Sequence, residues 1–393
     1  PMAFDIAAIQ LLYGVRAAET GDNAYTLISE NKAGTGWQSI WDTGGADTIS
    51  GANSTVAATI DLRAATLEGA DAGGYVSWIN GIKGGFTIAN GVVIENAIGG
   101  NVADMLIGNS VANTLAGNGG DDVFTGAGGN DAVDGGAGSD TAKYTGEAKH
   151  FSVTITKGAA TSVQDRKGTE GTDSLASVEK LDFTGTKDVD LGVLDGVVNV
   201  SSADLSAFIE MYIAYFNRAP DAEGLFYWGT RLSDGMSKNQ IAESFYVQPE
   251  TQALYTNPAD TKGFVTAVYS NFLGRAPDTD GFNYWVKQLD DDIVSKPIFL
   301  LAIINGAKAS TGSQTDVDYF SNKANIGAYY SVIKGMSNTD NGKAAMALYD
   351  GTAASITAAK NAIDGFYAAA VDANTGELLI NLVGVMDDPF AVA

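Results

Sequence analysis

Residues 99–140 read GGNVADMLI GNSVANTLA GNGGDDVFT GAGGNDAVD GGAGSD, and this stretch decides the fold of the first half of the chain. Glycine opens each nine-residue repeat, and aspartate or asparagine stands at its sixth position. The eighth position is usually apolar, as at Leu106, Leu115, Phe124 and Val133. A flexible glycine-rich linker would not keep five copies in one register, so the pattern predicts a repetitive fold.

Each part of the repeat has a physical role. Glycine permits turns with positive φ and leaves the carbonyl oxygens unshielded. The carboxylate at the sixth position adds a hard oxygen, which is the kind of ligand that calcium selects. The x-U-x triplet forms a short strand with its apolar residue inward. Two repeats complete one coil, so the sequence predicts a parallel β-roll in which calcium lies between loop n and loop n+2.

Three pairs of stacked loops are expected from this register: Asp104 with Asp122, Asn113 with Asp131, and Asp122 with Asp140. Because Asn113 supplies no charge, we expect the second pair to bind calcium more weakly. The expected calcium ligands within the repeats are Gly99, Asp104, Asn113, Gly117, Gly119, Asp122, Gly126, Gly128, Asp131, Gly135, Gly136 and Asp140.

Composition excludes several classes of function. The 393 residues include 23 basic and 47 acidic side chains, a formal charge of −24 that repels nucleic acid and anionic membranes. No segment approaches the roughly 20 apolar residues of a membrane helix. The chain has no cysteine and a single histidine, His150, so it offers neither a thiol nucleophile nor a histidine-rich zinc site. We therefore expect no zinc and no enzymatic activity on this chain, and interpret His150 as a strand-end residue.

Two further regions follow the repeats. The alternating segments 151–156, 161–164 and 180–183 predict a small antiparallel β module that caps the roll. From about Ser201 the apolar spacing becomes helical, and a motif recurs at a spacing of 57 residues. Its two copies are Tyr212, Arg218-Ala219-Pro220-Asp221, Gly224, Tyr227-Trp228 and Tyr269, Arg275-Ala276-Pro277-Asp278, Gly281, Tyr284-Trp285. We interpret these aromatic residues as core, and expect further helices over 318–334 and 353–371.

The predicted fold is multidomain β + α: a calcium-bound parallel β-roll with a small antiparallel cap, followed by an all-α duplicated helical domain. The expected divisions are a terminal helix over 1–14, the roll over 15–145 and the β module over 146–195. The helical duplication is expected over 200–312, followed by a helical region over 313–393.

The first part of the chain resembles a known family. Residues 1–14, PMAFDIAAIQLLYG, look like the last helix of the serralysin-type zinc metalloprotease domain, and the segments 20–22, 41–48 and 94–100 are similar to the serralysin C-terminal calcium domain. The family's H-E-x-x-H-x-x-G-x-x-H motif is absent, so the chain resembles the non-catalytic C-terminal portion of such a repeats-in-toxin (RTX) protease. The resemblance implies further calcium ligands at Glu19, Gly21, Asn23, Asp42, Gly44, Gly45, Asp47 and Glu95.

Two weaker resemblances concern the second half. The duplicated motif resembles a phycobilisome-linker-like domain of unknown function that accompanies secreted RTX proteins. Residues 378–393, LLINLVGVMDDPFAVA, look like an uncleaved type I secretion signal.

Together these features predict a secreted, calcium-binding and non-catalytic C-terminal part of a serralysin-like metallopeptidase. Its expected partners are an upstream protease domain, which would make the parent polypeptide a zinc metalloendopeptidase, and the type I secretion machinery. The alternative is a calcium-dependent adhesin or surface-layer-associated protein that uses the helical duplication for binding. A protease motif upstream in the gene would favour the first interpretation, and a long repetitive region would favour the second.

Overall fold

The computed structural model of the protein describes residues 2–185, 188–255, 260–309 and 313–391. The chain divides into two compact units, one formed by residues 1–153 and 158–192 and the other by residues 154–157 and 193–393. The first is built from β-strands and the second mainly from helices, which confirms the predicted order of β then α. The predicted division at residue 312 and the last two residues of the predicted secretion signal lie outside the described residues.

The first unit begins with one helix and continues as short strands. Helix α1 spans Ala3–Tyr13. The strands are β1 (Ala24–Thr26), β2 (Trp37–Ile40), β3 (Thr48–Ser50), β4 (Ala58–Asp61), β5 (Ser77–Ile79), β6 (Gly85–Ile88), β7 (Asn96–Ile98), β8 (Met105–Ile107), β9 (Thr114–Ala116), β10 (Val123–Thr125), β11 (Ala132–Asp134), β12 (Thr141–Tyr144), β13 (Phe151–Thr156), β14 (Thr161–Asp165), β15 (Thr172–Ala176), β16 (Lys180–Phe183) and β17 (Asp188–Asp190).

Successive repeat strands alternate between two sheets. In one sheet β8 pairs in parallel with β10, so that Leu106 lies beside Phe124. In the other sheet β9 pairs in parallel with β11, so that Leu115 lies beside Val133. These four side chains are buried between the sheets. The predicted coil of two repeats, with loop n stacked on loop n+2, is therefore confirmed.

The region after the repeats differs from the predicted antiparallel cap. Strand β15 pairs in parallel with β11, and β16 pairs in parallel with β12, so both continue the sheets of the roll. The pairings β14–β15 and β16–β17 are antiparallel, and β13 lies beside β14 in the same sheet, so an antiparallel part of the predicted module is present. Strands β15 and β16 continue the roll because they follow the roll's own rule, an acidic residue two positions before a buried leucine (Leu175 and Leu181).

The second unit contains ten α-helices among the described residues. They are α2 (Ser202–Phe216), α3 (Ala222–Ser233), α4 (Lys238–Tyr246), α5 (Pro249–Leu254), α6 (Thr261–Val268), α7 (Thr279–Asp290), α8 (Lys296–Lys308), α9 (Gln314–Ala328), α10 (Thr339–Ala347) and α11 (Ala353–Ala370). Helices α6 and α9 continue as π-helical turns over Tyr269–Leu273 and Tyr329–Ile333, and strand β18 spans Leu379–Val383. No described helix combines the length and apolar character needed to cross a membrane.

The duplicated motif forms the same helix–turn–helix twice. Asp221 is the N-cap of α3 and accepts a hydrogen bond from the Gly224 N–H at 3.2 Å, as Asp278 does at 2.8 Å from the Gly281 N–H in α7. The Tyr212 hydroxyl also donates to Asp221, at 3.0 Å. A Cβ on Gly224 would lie 2.8 Å from the Tyr212 oxygen, so this glycine is needed for the close approach.

A third, degenerate copy follows at α9 and α10. The π-helical turn Tyr329–Ile333 is followed by Gly335 with φ 64° and then by Asn338, which caps α10 by accepting from the Asn341 N–H at 3.1 Å. Gly335 stands where the first two copies carry arginine, so the R-A-P-D pattern is lost. Without the R-A-P-D pattern the third copy cannot be recognised from the sequence alone.

The interpretation of the repeated aromatic residues as core holds in part. Tyr212 and Tyr269 are buried, Tyr227, Trp228 and Trp285 are half-buried, and Tyr284 is 55% exposed. The first copy is the more completely buried, since the side chain of Arg218 is 6% exposed and that of Arg275 is 38% exposed.

We predict that Asp221→Ala lowers the free energy of unfolding of the helical unit by about 2 kcal/mol and Asp278→Ala by about 1 kcal/mol. Both changes remove a helix cap, but only the first leaves the buried Tyr212 hydroxyl without its acceptor. Urea denaturation followed by far-UV circular dichroism measures both. Asp234→Ala at an exposed helix end is the control, and equal losses at Asp221 and Asp278 would contradict the difference assigned to Tyr212.

Candidate calcium-binding loops

Acidic side chains join successive coils of the roll through hydrogen bonds to the backbone. Asp122 Oδ1 accepts from the Asp104 N–H at 2.7 Å, and Asp140 Oδ1 accepts from the Asp122 N–H at 2.7 Å. Glu179 Oε2 accepts from the Asp140 N–H at 2.7 Å and ends the series. The carboxylates of alternate loops thus form a continuous ladder along one side of the roll.

A second ladder lies along the other sheet. Asp47 accepts from the Asn23 N–H at 2.8 Å, and Glu95 accepts from the Asp47 N–H at 2.8 Å. Farther along, Asp131 accepts from the Asn113 N–H at 2.8 Å, and Asp173 accepts from the Asp131 N–H at 2.9 Å. Between Glu95 and Asp131 the donor and acceptor roles change. Here the side-chain amide of Asn113 donates a hydrogen bond to the backbone carbonyl of Glu95 at 3.0 Å.

Three of the carboxylates keep one oxygen that is buried and without a hydrogen-bond partner among the described residues. These oxygens are the Oδ2 atoms of Asp122, Asp131 and Asp140. Burial raises the pKa of Asp122 and of Asp131 to about 7, and it also raises the pKa of Asp140. A buried carboxylate oxygen without a partner is costly, so each of these atoms requires a proton or a cation.

Asp104 and Asn113 differ from these three. Asp104 Oδ2 accepts from the Gly100 N–H, and Asn113 Oδ1 accepts from the Asn109 N–H at 2.7 Å, so both oxygens are already satisfied within their own loop. The fourth residue of the loop explains the difference. It is valine in these two loops, Val102 and Val111, and glycine with positive φ in the other three.

The glycine at the start of a loop leaves room for the bare oxygen. A Cβ on Gly117 would lie 2.1 Å from Asp122 Oδ2 and 2.6 Å from the Gly135 carbonyl oxygen. A Cβ on Gly126 would lie 2.2 Å from Asp131 Oδ2. A side chain is therefore excluded at both positions, and at Gly117 the space lies between a carboxylate oxygen and a carbonyl oxygen of the neighbouring loop.

The structure reveals a sixth repeat that the sequence search missed. Residues 168–176, GTEGTDSLA, place glycine, aspartate and leucine at the first, sixth and eighth positions, as in the repeats of 99–140. Gly171 has φ 79° and packs so closely on the Gly129 carbonyl that a Cβ would lie 1.7 Å from its oxygen. An insertion between the fifth and sixth repeats breaks the nine-residue register, although the G-x-x-G-x-D-x-L signal itself was present.

The expected ligands before the repeats are brought together by the turns 19–23 and 42–47. A Cβ on Gly45 would lie 2.2 Å from the Gly21 carbonyl oxygen, so the two turns are in close contact. Asp42 is buried and accepts from the Tyr25 hydroxyl at 2.6 Å and from the Gly44 N–H at 3.1 Å. Glu19 has φ 48° in this turn, and its side chain accepts from the Asn23 side chain at 3.3 Å.

The remaining backbone ligands expected from the sequence lie in the same stacked loops. The Gly119 N–H donates to the Gly100 carbonyl at 3.3 Å, and the Gly128 N–H donates to the Asn109 carbonyl at 2.9 Å. Gly136 has φ 92°, and a Cβ there would lie 2.2 Å from the Asn118 carbonyl oxygen. A Cβ on Gly99 would lie 2.6 Å from Asp104 Oδ2, which places this glycine in a loop whose carboxylate is already satisfied.

The donor set of the loops fits calcium. The described residues contain no cluster of three or more histidine, cysteine, aspartate or glutamate side chains, so a site made of side chains alone is not present among them. Coordination in the loops would instead combine one or two carboxylates with backbone carbonyl oxygens, all of them hard ligands. His150 lies outside the loops, at the end of the short 3₁₀ helix Ala148–His150, and burial lowers its pKa.

Comparison with known proteins agrees with this geometry. Residues 4–184 match the family described as peptidase M10 serralysin C terminal, and residues 242–311 match a domain of unknown function, DUF4214. Serralysin C of Dickeya chrysanthemi is 43% identical over 117 residues, and serralysin of Photorhabdus luminescens is 42% identical over 117 residues. Metallopeptidase AprA of Pseudomonas marginalis is 39% identical over 115 residues.

Each of these alignments covers 27% of this chain and 22% of the relative. The chain thus corresponds to about a fifth of the length of the curated relatives that it matches. The chain is therefore similar to the serralysin C-terminal family over residues 4–184 and to DUF4214 over residues 242–311.

Proposed function

We propose that this chain is the calcium-binding, non-catalytic C-terminal part of a secreted serralysin-like metallopeptidase. Calcium folds the roll outside the cell, and the folded roll supports an attached protease domain. The single observation that carries this proposal is the set of buried Oδ2 atoms of Asp122, Asp131 and Asp140, which have no partner among the described residues. Beside Gly117 and Gly135 the oxygens of Asp122 and Asp140 share their surroundings with the carbonyl oxygens of Gly135 and Ser177.

The six-repeat pattern refines which loops would bind most tightly. Loop 117–122 stacks on loop 135–140, and loop 126–131 stacks on loop 168–173; all four have glycine at the fourth position. The loops of Asp104 and Asn113 have satisfied oxygens and are expected to contribute less. Calcium would therefore be held mainly by the later loops of the roll.

The same geometry makes folding depend on the ion. The roll strands β7 to β11 are three residues long, and each buries one central side chain. In the absence of a cation the ladders hold ionised carboxylates close together in buried positions, which opposes folding. Bound calcium supplies the neutralising charge, and because it binds only the assembled loops its binding energy becomes folding energy.

Helix α1 supports the attachment of another domain. Ala3 and Ile6 are buried against the first unit, whereas Leu11, Leu12 and Tyr13 are 74–87% exposed. Exposed apolar side chains in one short helix are typical of a surface that another domain covers. This feature supports a neighbouring domain on this helix, and the similarity to serralysins makes a protease domain the proposed neighbour.

The position of the C-terminal segment supports export of an unfolded chain. Strand β18 places Leu379, Ile380 and Leu382 in the interior of the helical unit, and the Ile380 N–H donates to the Gly335 carbonyl at 2.9 Å. Phe390 packs on Tyr329 with ring centroids 5.3 Å apart. A secretion signal in this segment would be accessible to an exporter only before the unit folds.

We predict that removing calcium from the full chain unfolds residues 99–140 and leaves residues 205–370 largely helical. The roll needs cations to neutralise its ladders, whereas the second unit has an aromatic core and no such ladder among its described residues. Hydrogen exchange with and without chelator measures both regions at once. Loss of protection in both halves would contradict the separate stabilisation of the units, and no response in either would refute calcium binding by the loops.

We predict that Asp122→Ala weakens calcium binding roughly tenfold or more, while Asn113→Ala changes it less than about threefold. Asp122 presents a bare charged oxygen, and the Asn113 oxygen is neutral and already bonded to the Asn109 N–H. Isothermal titration calorimetry compares the two. Asp122→Asn is the control because an amide keeps an oxygen that can accept from the Asp104 N–H. Equal losses in the two alanine variants would refute the assignment of the binding loops.

We predict that the calcium-free roll becomes less stable as the pH rises from about 5 to about 8. The pKa of Asp122 and of Asp131 is raised to about 7 in the fold, above its unfolded value. Their stabilising contribution is therefore complete below the unfolded pKa and is lost as the pH rises through about 7. Differential scanning calorimetry in calcium-free buffer measures the midpoint of the first unit.

With calcium present the pH dependence should reverse, because protons then compete with the ion for the same oxygens. The transition of the helical unit in the same scans is the internal control. A calcium-free roll that gains stability between those two pH values would show that these carboxylates are not held in the uncharged form.

A further inference from the structure

The helical unit contains a cavity of about 350 Å³ in the second copy of the duplicated motif. Four of its lining residues, Tyr269, Leu273, Trp285 and Ile303, lie beside the polar residues Arg275, Asp278 and Asp316. The first copy of the motif provides the comparison. The residues that correspond to these four are, in the same order, Tyr212, Phe216, Trp228 and Phe245.

In the first copy the equivalent space is filled by the ring of Phe245. Its centroid lies 5.2 Å from that of Tyr212, 4.9 Å from that of Phe216 and 5.3 Å from that of Trp228, and Phe245 is fully buried. Helix α4 thus completes a closed aromatic cluster. Four rings at these distances form a packed aromatic cluster.

Two substitutions open the cluster in the second copy. Ile303 on α8 takes the place of Phe245, and Leu273 takes the place of Phe216. The remaining ring of α8, Phe299, lies one helical turn earlier and packs on Trp285 at 5.2 Å. The Tyr269 hydroxyl keeps a hydrogen bond with the Trp285 side chain, and the Arg275 guanidinium lies over the Tyr269 ring at 5.3 Å.

Polar groups surround the mouth of this space. Arg275 forms a bidentate ion pair with Asp316, with nitrogen–oxygen distances of 2.8 and 2.6 Å. Asp278 accepts from the Gly281 N–H at 2.8 Å and is 62% exposed at its side chain. Fixed polar groups beside aromatic and aliphatic side chains, as in this space, are the groups that orient a small ligand in a pocket.

We propose that this cavity binds an aromatic ring with a polar edge, of the phenol or indole type. The ring takes the position that Phe245 occupies in the first copy, between Tyr269, Leu273 and Ile303. Its hydroxyl or N–H faces the carboxylates of Asp278 and Asp316. The ring belongs either to a free small molecule or to a side chain of a protein partner, and the chemistry of recognition is the same.

Ligand-observed NMR on the full chain in calcium-containing buffer tests the proposal, with phenol and indole as probes and cyclohexanol as the saturated match. Phenol and indole should bind the wild type, and Ile303→Phe should weaken both by about tenfold or more, because the added ring refills the space. Ile293→Phe is the control, since Ile293 is 64% exposed and adds the same ring outside the cavity.

Ala307→Leu provides a second test if Ile303→Phe fails to fold. Ala307 lines the same cavity, and the smaller added side chain should weaken phenol binding without overfilling it. The peptide acetyl-Gly-Tyr-Gly-amide distinguishes the two sources of the ring. Tighter binding of the peptide than of phenol indicates a protein side chain, and equal or weaker binding indicates a free aromatic molecule.

Three results would overturn the proposal. Absence of phenol and indole binding to the wild type at millimolar concentration would show that the space is only a packing defect. Unchanged binding in Ile303→Phe would place the probes elsewhere. Equal affinity for cyclohexanol and phenol would show that the site does not select an aromatic ring.

Discussion

The roll depends on one repeated interaction, in which a carboxylate oxygen accepts the backbone N–H of the acidic residue eighteen positions earlier. The interaction links Asp104 to Asp122 and Asp122 to Asp140. It fixes the orientation of each carboxylate, and in the later loops it leaves the second oxygen buried without a partner. The bond that stacks the coils therefore also creates the demand for a proton or a cation, and a cation bound there would stabilise the stacked coils.

In the five loops of residues 99–140, the residue at the fourth position matches whether that demand arises. Glycine at Gly120, Gly129 and Gly138 adopts positive φ, and the carboxylate oxygen stays bare. Valine at Val102 and Val111 is excluded from that conformation, and the loop then satisfies its own oxygen with an N–H four residues earlier. Within residues 99–140, valine or glycine at this position thus separates the loops whose oxygen is satisfied from the loops whose oxygen is bare.

The helical unit is stabilised in a different way, by capped helices and aromatic packing. The same aspartate cap serves in two copies, and an asparagine replaces it in the third. The helix caps are kept and the packing residues vary. The copies therefore share a backbone conformation but differ in how completely side chains fill the space between their helices. The change from Phe245 to Ile303 is the clearest example, since it replaces a closed cluster with a cavity.

The amino-acid sequence by itself determined the nine-residue register, the alternation of two sheets, the position-six carboxylates and the duplication at Arg218 and Arg275. These features are local and periodic, so a pattern in one dimension contains them. Only the tertiary structure showed that Asp173 and Glu179 end the ladders, that Asp104 is already satisfied, and that Asn338 caps a third copy. The ends of the ladders and the third cap depend on which loop or helix lies beside another. The state of Asp104 depends on the direction of one backbone N–H. The spacing of residues along the chain fixes neither the neighbours nor that direction.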